Sequence, residues 1–166
     1  MPSPSVRTDV GGVYRSSDGG ETWDWLSGYT AGLPWSTQGL AVNQSDPSGL
    51  TVIIGVGTDH ATNMTGVWKS TNGGTSWTHV LGNVYFNGNG NSRQAAPCLA
   101  IDEARPWRVW AAAQEGLWLS TDGGDSWAPV TTFNEVCARA PAAPTMSGPT
   151  HTPMACCAAL RLVQWY

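Results

Sequence analysis

"SSDGGETW", residues 16–23, places a carboxylate, two glycines and a tryptophan within one short stretch. It returns as "STNGGTSW" at 70–77 and as "STDGGDSW" at 120–127. A catalytic acid is seldom needed three times, and Asn72 stands in the second copy where the others carry Asp18 and Asp122. A position that tolerates loss of charge serves a turn, not a reaction. Gly19 and Gly20 can take positive φ in a hairpin, and Asp18 can accept hydrogen bonds from turn N–H groups. Ser16 and Thr22 can then close the ends while Trp23 folds into the sheet. The same roles fall to Ser70, Asn72, Gly74, Ser76 and Trp77, and to Ser120, Asp122, Gly124, Ser126 and Trp127.

The match extends upstream. "GVYRSSDGGETW", "GVWKSTNGGTSW" and "GLWLSTDGGDSW" begin at Gly12, Gly66 and Gly116, 54 and 50 residues apart. The later two are preceded by "LAVNQSDPSGLTVIIGVG" (40–57) and "LAIDEARPWRVWAAAQ" (99–114), each an apolar stretch, a polar turn and a second apolar stretch. Each unit therefore reads as strand, turn, strand, loop, strand, box, strand. Four short strands recurring at about 50 residues, with no helical periodicity, predict the blades of a β-propeller. Kelch repeats share the length, but their aromatic follows the Gly pair at a longer spacing. The pattern S-x-[DN]-x-G-x-[ST]-W is that of an Asp-box, or BNR repeat.

Composition agrees with an all-β chain of tight turns. Only 12% of the 166 residues are charged, and there are 20 glycines and 10 tryptophans. The formal net charge of −4, with a single lysine (Lys69) and scattered arginines, excludes the clustered cations that nucleic acids or anionic membranes require. No stretch approaches the roughly 20 apolar residues of a membrane span, and "MPSPSVRTDVGG" lacks the apolar run of a signal peptide. Cys98, Cys137, Cys156 and Cys157 show neither C-x-x-C nor a histidine at zinc-ligand spacing, so no metal or other cofactor is expected.

One segment breaks the repeat. "VRTDVGGVYR" (6–15) has no counterpart in "HATNMTGVWK" or "AAAQEGLWL", which carry neither Arg-Thr-Asp nor the glycine pair. A departure confined to one blade points to function at Asp9. With "DPSGLTVIIGVGT" leading into "GVWKSTNGGTSW", then "FNGNGNSR" followed by "LAID", and finally "GLWLSTDGGDSWAPVTTF", this segment resembles the start of the xyloglucan-cleaving glycoside hydrolases of family seventy-four. The resemblance runs from Val6 to Phe133.

The resemblance implies a large all-β enzyme of two seven-bladed propellers with the substrate cleft between them. Such enzymes are secreted, cut β-1,4-glucan backbones bearing xylose and invert the anomeric configuration. One catalytic aspartate comes from each propeller, the first in an R-T-D-[VI]-G-G motif that Asp9 matches; in an inverting reaction it is the base that activates water. The acid has no position in this sequence. Trp25, Trp35 and Trp107, which lie outside the boxes, and Arg93 are candidate sugar contacts. Asp59 and His60, in "GTDHATNMTG", read as solvated loop polarity.

The expected organisation is about three incomplete four-stranded blades in residues 1–133, part of a larger seven-bladed propeller. Residues 134–166 hold three of the four cysteines and no aspartate, and lack the glycine-punctuated strand pattern, as a frame-shifted or truncated reading of a gene would. Fewer than three blades leave strand edges unpaired, so missing blades or self-association are expected to complete the fold. The competing reading is a non-catalytic Asp-box propeller that binds carbohydrate or protein. A sialidase fits least, for want of an F-R-I-P-like segment and an arginine cluster.

Overall fold

In a computed structural model, residues 4–8, 11–27, 34, 36–57, 64–86 and 98–131 are described. They form strands and turns, with no helix among them. The strands are β1 (Ser5–Thr8), β2 (Gly12–Arg15), β3 (Asp24–Ser27), β4 (Thr37–Val42), β5 (Val52–Val56), β6 (Gly66–Ser70), β7 (Thr78–Gly82), β8 (Leu99–Ile101), β9 (Val109–Ala113), β10 (Gly116–Ser120) and β11 (Ala128–Pro129). Three antiparallel sheets result, in the orders β1-β2-β3, β4-β5-β6-β7 and β8-β9-β10-β11. The second and third are complete four-stranded meanders. The first has three strands, and its β1 corresponds to β5 and β9, so it lacks a counterpart of β4 and β8 among the described residues.

The sheets stack face to face because side chains alternate along each strand. All five residues of β5 are buried. Val52, Ile54 and Val56 join Val13 in a core shared with the first sheet, packed on by Leu26 and Trp77. Ile53 points the other way, into a core with Phe86, Leu99, Val109, Ala111 and Ala113 shared with the third sheet. A one-residue slip of β5 would exchange these two sets, so its register is fixed from both sides.

Each box strand opens on a glycine at positive φ: Gly12 at 88°, Gly66 at 127° and Gly116 at 135°. A Cβ on Gly12 would stand 1.9 Å from the Ser27 carbonyl oxygen, and one on Gly66 2.0 Å from that of Leu81. The register of β2 against β3 and of β6 against β7 shifts at the next residues, Val13/Tyr14 and Val67/Trp68. Such bulges strengthen the local twist. The last glycine of "RTDVGG" thus belongs to the repeat.

Two rims follow from the strand directions. The boxes and the β4–β5 and β8–β9 turns lie at one, where Gly73 N–H donates to the Leu50 carbonyl and Gly123 N–H to that of Trp107. The β1–β2, β5–β6 and β9–β10 connections lie at the other. There the Arg7 guanidinium donates to the Thr37 carbonyl at 3.1 Å, joining the first sheet to the second. Tyr85 bridges the second to the third, its N–H bound to the Glu115 carboxylate at 2.9 Å and its carbonyl accepting from Gln114 N–H.

Candidate functional site

The boxes resolve into one hydrogen-bonding scheme. In the first, the Ser16 hydroxyl donates to Asp18 at 2.6 Å and accepts from Gly20 N–H at 2.7 Å, while Asp18 accepts from Thr22 N–H at 2.9 Å. The third repeats it with Ser120, Asp122, Gly124 and Ser126. In the second, the Asn72 amide oxygen accepts from Ser70 and from Ser76 N–H, and its NH₂ donates to the Ser76 hydroxyl at 2.8 Å. That last bond runs opposite to the one in the carboxylate boxes, where the hydroxyl donates. Hydroxyls can do either, which is why Asp and Asn interchange here. The serine that opens each box is the buried hub of the turn rather than a closing end.

Hydrogen bonds hold both carboxyls well below the usual carboxylate range. For Asp18 the Ser16 hydroxyl contributes most, for Asp122 that of Ser126. Asp46, in the β4–β5 turn, is lowered likewise, first by the Ser48 hydroxyl and then by that of Thr51. Nothing in a repeat of boxes singled out Asp46; the D-x-S spacing of "DPS" is the signal that would have. These three acids are turn builders held ionised, the opposite of a proton donor.

A pH dependence follows. A folded value below the unfolded 3.8 contributes stability above about pH 4, and that contribution is lost as the pH falls toward the folded value. The double variant Asp18→Asn with Asp122→Asn, copying the second box, is therefore expected to lose less stability than the wild type between pH 6 and pH 3. Urea midpoints at the two pH values test this, and equal losses would refute it. Ser120→Ala should cost about 1–3 kcal/mol in the same assay, because it leaves the buried Gly124 N–H unpaired.

Trp23 departs from expectation. It does not fold into the sheet: it lies over its own box, Nε1 donating to the Gly20 carbonyl at 3.1 Å, and stays 42% exposed. Trp77 is more buried because a preceding sheet is there to meet it, its Nε1 donating to the Leu26 carbonyl. Trp127 bonds to the Gly124 carbonyl as Trp23 does to that of Gly20, and packs at the edge of the core between the second and third sheets.

At the opposite rim, Thr8 pairs with Gly12 across the β1–β2 connection. A Cβ on Gly11 would stand 2.5 Å from the Thr8 hydroxyl and 3.0 Å from that of Tyr14, so a larger residue there would have to displace those side chains. The Trp25 indole donates to the Gly11 carbonyl at 2.7 Å, and the ring is 45% exposed. Of the sequence-predicted site residues, Trp25 and Trp107 are described; Asp9, Trp35 and Arg93, like Asp59 and His60, lie outside the described residues. Trp107, 53% exposed, sits in the β8–β9 turn at the box rim. The two tryptophans are therefore not brought together: only Trp25 borders the segment that departs from the repeat.

No protein-family model and no curated protein sequence matches this chain. Its structure is similar to that of the GH74 xyloglucanase from Xanthomonas campestris, with a TM-score of 0.67 and 26% identity over 82% of this chain and 20% of that one. It is also similar to the GH74 enzyme of Niastella koreensis, with a TM-score of 0.63 and 25% identity over 78% of this chain and 20% of that one. The fold of this chain is thus a portion of the propeller fold of glycoside hydrolase family 74, spanning about a fifth of the length of those enzymes.

Proposed function

We propose that this chain is part of a glycoside hydrolase that cleaves xyloglucan or a related β-1,4-glucan with inversion, Asp9 serving as the general base. The observation that carries the reading is the Arg7-Thr8-Asp9 segment, which breaks the repeat in a chain similar to a GH74 xyloglucanase. Inversion needs two carboxyls about 6.5–9.5 Å apart, one protonating the leaving oxygen and one drawing a proton from water on the opposite face of the sugar. Asp9 supplies the second; the first belongs to a part of the enzyme beyond this chain. Trp25 offers an apolar face at the same rim for a pyranose ring, its indole fixed by the Gly11 carbonyl. Trp35 and Arg93 are further sugar contacts in this reading. Trp107, at the box rim, has no part in it.

A chimera joining residues 1–131 to the remaining blades of a family 74 xyloglucanase tests the proposal. Proton NMR of the first anomer released from xyloglucan should show α product from the β-linked chain. A folded chimera that binds xyloglucan without cutting it would favour the non-catalytic propeller. The 166-residue chain alone should show no turnover; clear turnover by it would mean that a second acid lies within the chain and that the assignment is wrong.

A further inference from the structure

Arg7 occupies a position that the repeat otherwise keeps small. It pairs with Val13, as Gly55 does with Val67 and Ala112 with Leu117, and each of those partners follows the glycine that opens a box strand. In the second sheet the Phe86 ring takes the room, 3.1 Å from where a Gly55 Cβ would stand. In the first sheet the arginine crosses to the second sheet instead, its Nη1 donating to the Thr37 carbonyl at 3.1 Å. β4 is the edge of its sheet, and the neighbouring Ser36 carbonyl is already taken by Gly57 N–H at 2.9 Å, beside the end of β5. A carbonyl on the open side of an edge strand has no strand to meet it, and the guanidinium supplies the missing donor.

Strain collects at the same place. Ser36, just before Thr37, holds φ at 53° without being glycine, and the register of β4 against β5 shifts between Thr37 and Gly39. The Ser36 and Thr37 hydroxyls are buried with no hydrogen-bond partner among the described residues. A left-handed serine and two orphaned hydroxyls are costs of the kind that gather at functional sites. The far end of the β1–β2 connection is held by ordinary means. Trp25, which pairs with Tyr14, donates to the Gly11 carbonyl, and the ring of His79, which pairs with Trp68, lies 3.0 Å from the Thr65 carbonyl at the same repeat position. That strut belongs to the repeat, whereas the tie made by Arg7 has no counterpart at Gly55 or Ala112.

We propose that Arg7 is a positioning residue for the hydrolysis: by gripping the Thr37 carbonyl it fixes β1 against the second sheet, and with it the setting of Asp9 two residues further along the chain. The inference rests on Asp9 being the base. Two residues span at most about 7 Å, so the anchoring of β1 limits where residue 9 can lie. A misplacement of about 1 Å costs a reaction of this kind about 10²-fold. Arg7 touches neither the sugar nor the attacking water in this role; it acts through Asp9.

Two measurements test this. In the full chain, Arg7→Met, which keeps the apolar stem and removes the donor, should quicken amide exchange over residues 5–15 at least about 10-fold and leave β9 and β10 unchanged. In the family 74 chimera, Arg7→Met should lower kcat about 10–100-fold with KM held within about 2-fold. Arg7→Lys, whose ammonium still reaches a carbonyl, should regain at least about 3-fold of that loss. With Asp9→Ala already present, Arg7→Met should cost no more than about a further 2-fold, because the group it positions is gone; a residue that only holds the fold would cost the same in both backgrounds. Additive losses, an unchanged kcat, a lysine no better than methionine, or unaltered exchange in the full chain each overturn the proposal. So does a kcat loss that circular dichroism traces to a lost fold. Turnover untouched by Asp9→Ala would instead remove the base, and this inference with it.

Discussion

Replacing Asp9 with alanine in the chimera is expected to lower kcat by about 10²–10⁴-fold, the contribution typical of one positioned acid or base. That corresponds to about 3–5 kcal/mol of transition-state stabilisation. The loss should fall on kcat more than on KM, because a general base acts on the water and not on the sugar that holds the substrate. The thermal midpoint should stay nearly unchanged, in contrast to Ser120→Ala, whose hydroxyl is the hub of a buried turn. Paired reducing-sugar kinetics and thermal unfolding check both halves. A variant that melts early but turns over normally would make Asp9 a packing residue, and one unchanged in both would remove it from the site.

The second large effect is structural. Phe86→Ala should destabilise the chain by about 3–5 kcal/mol, since a wholly buried ring is removed from the core between the second and third sheets. Phe86 also fixes the path of the chain from β7 toward β8, forming an isolated parallel bridge with Gly57. Its ring covers Gly55, on which a Cβ would stand 3.1 Å away. Gly55→Ala alone should therefore be destabilising, yet cost little in the Phe86→Ala background, where it occupies space the ring has left. Additive losses in urea unfolding would show that the two positions do not share that space.

Much of the fold was legible because a turn's chemistry is local. The Ser, Asp or Asn, Gly and Trp of each box act within a few residues of one another, so their spacing alone announced a hairpin, and three copies announced a stack of sheets. Less local features were misread or missed. The burial of each box tryptophan depends on whether another sheet lies beside it, which is why Trp23 and Trp77 differ although both close an S-x-[DN]-x-G box. Asp46 went unnoticed because its partners, Ser48 and Thr51, form a turn of a different spacing.

By itself the sequence determined the strand pattern of the repeat, the box chemistry and the departure of Arg7-Thr8-Asp9 from that repeat. Those properties depend on periodicity and on residue type, which the chain carries in one dimension. Only the tertiary structure decided where the two described candidates, Trp25 and Trp107, sit. Trp25 and Trp107 look equivalent in sequence as tryptophans outside the boxes, but Trp107 lies in the β8–β9 turn at the box rim, whereas Trp25 lies in β3 and its indole reaches across to the Gly11 carbonyl beside the β1–β2 connection. The two faces of β5 were likewise indistinguishable as a run of apolar residues until the neighbouring sheets claimed Val52 and Ile54 on one side and Ile53 on the other.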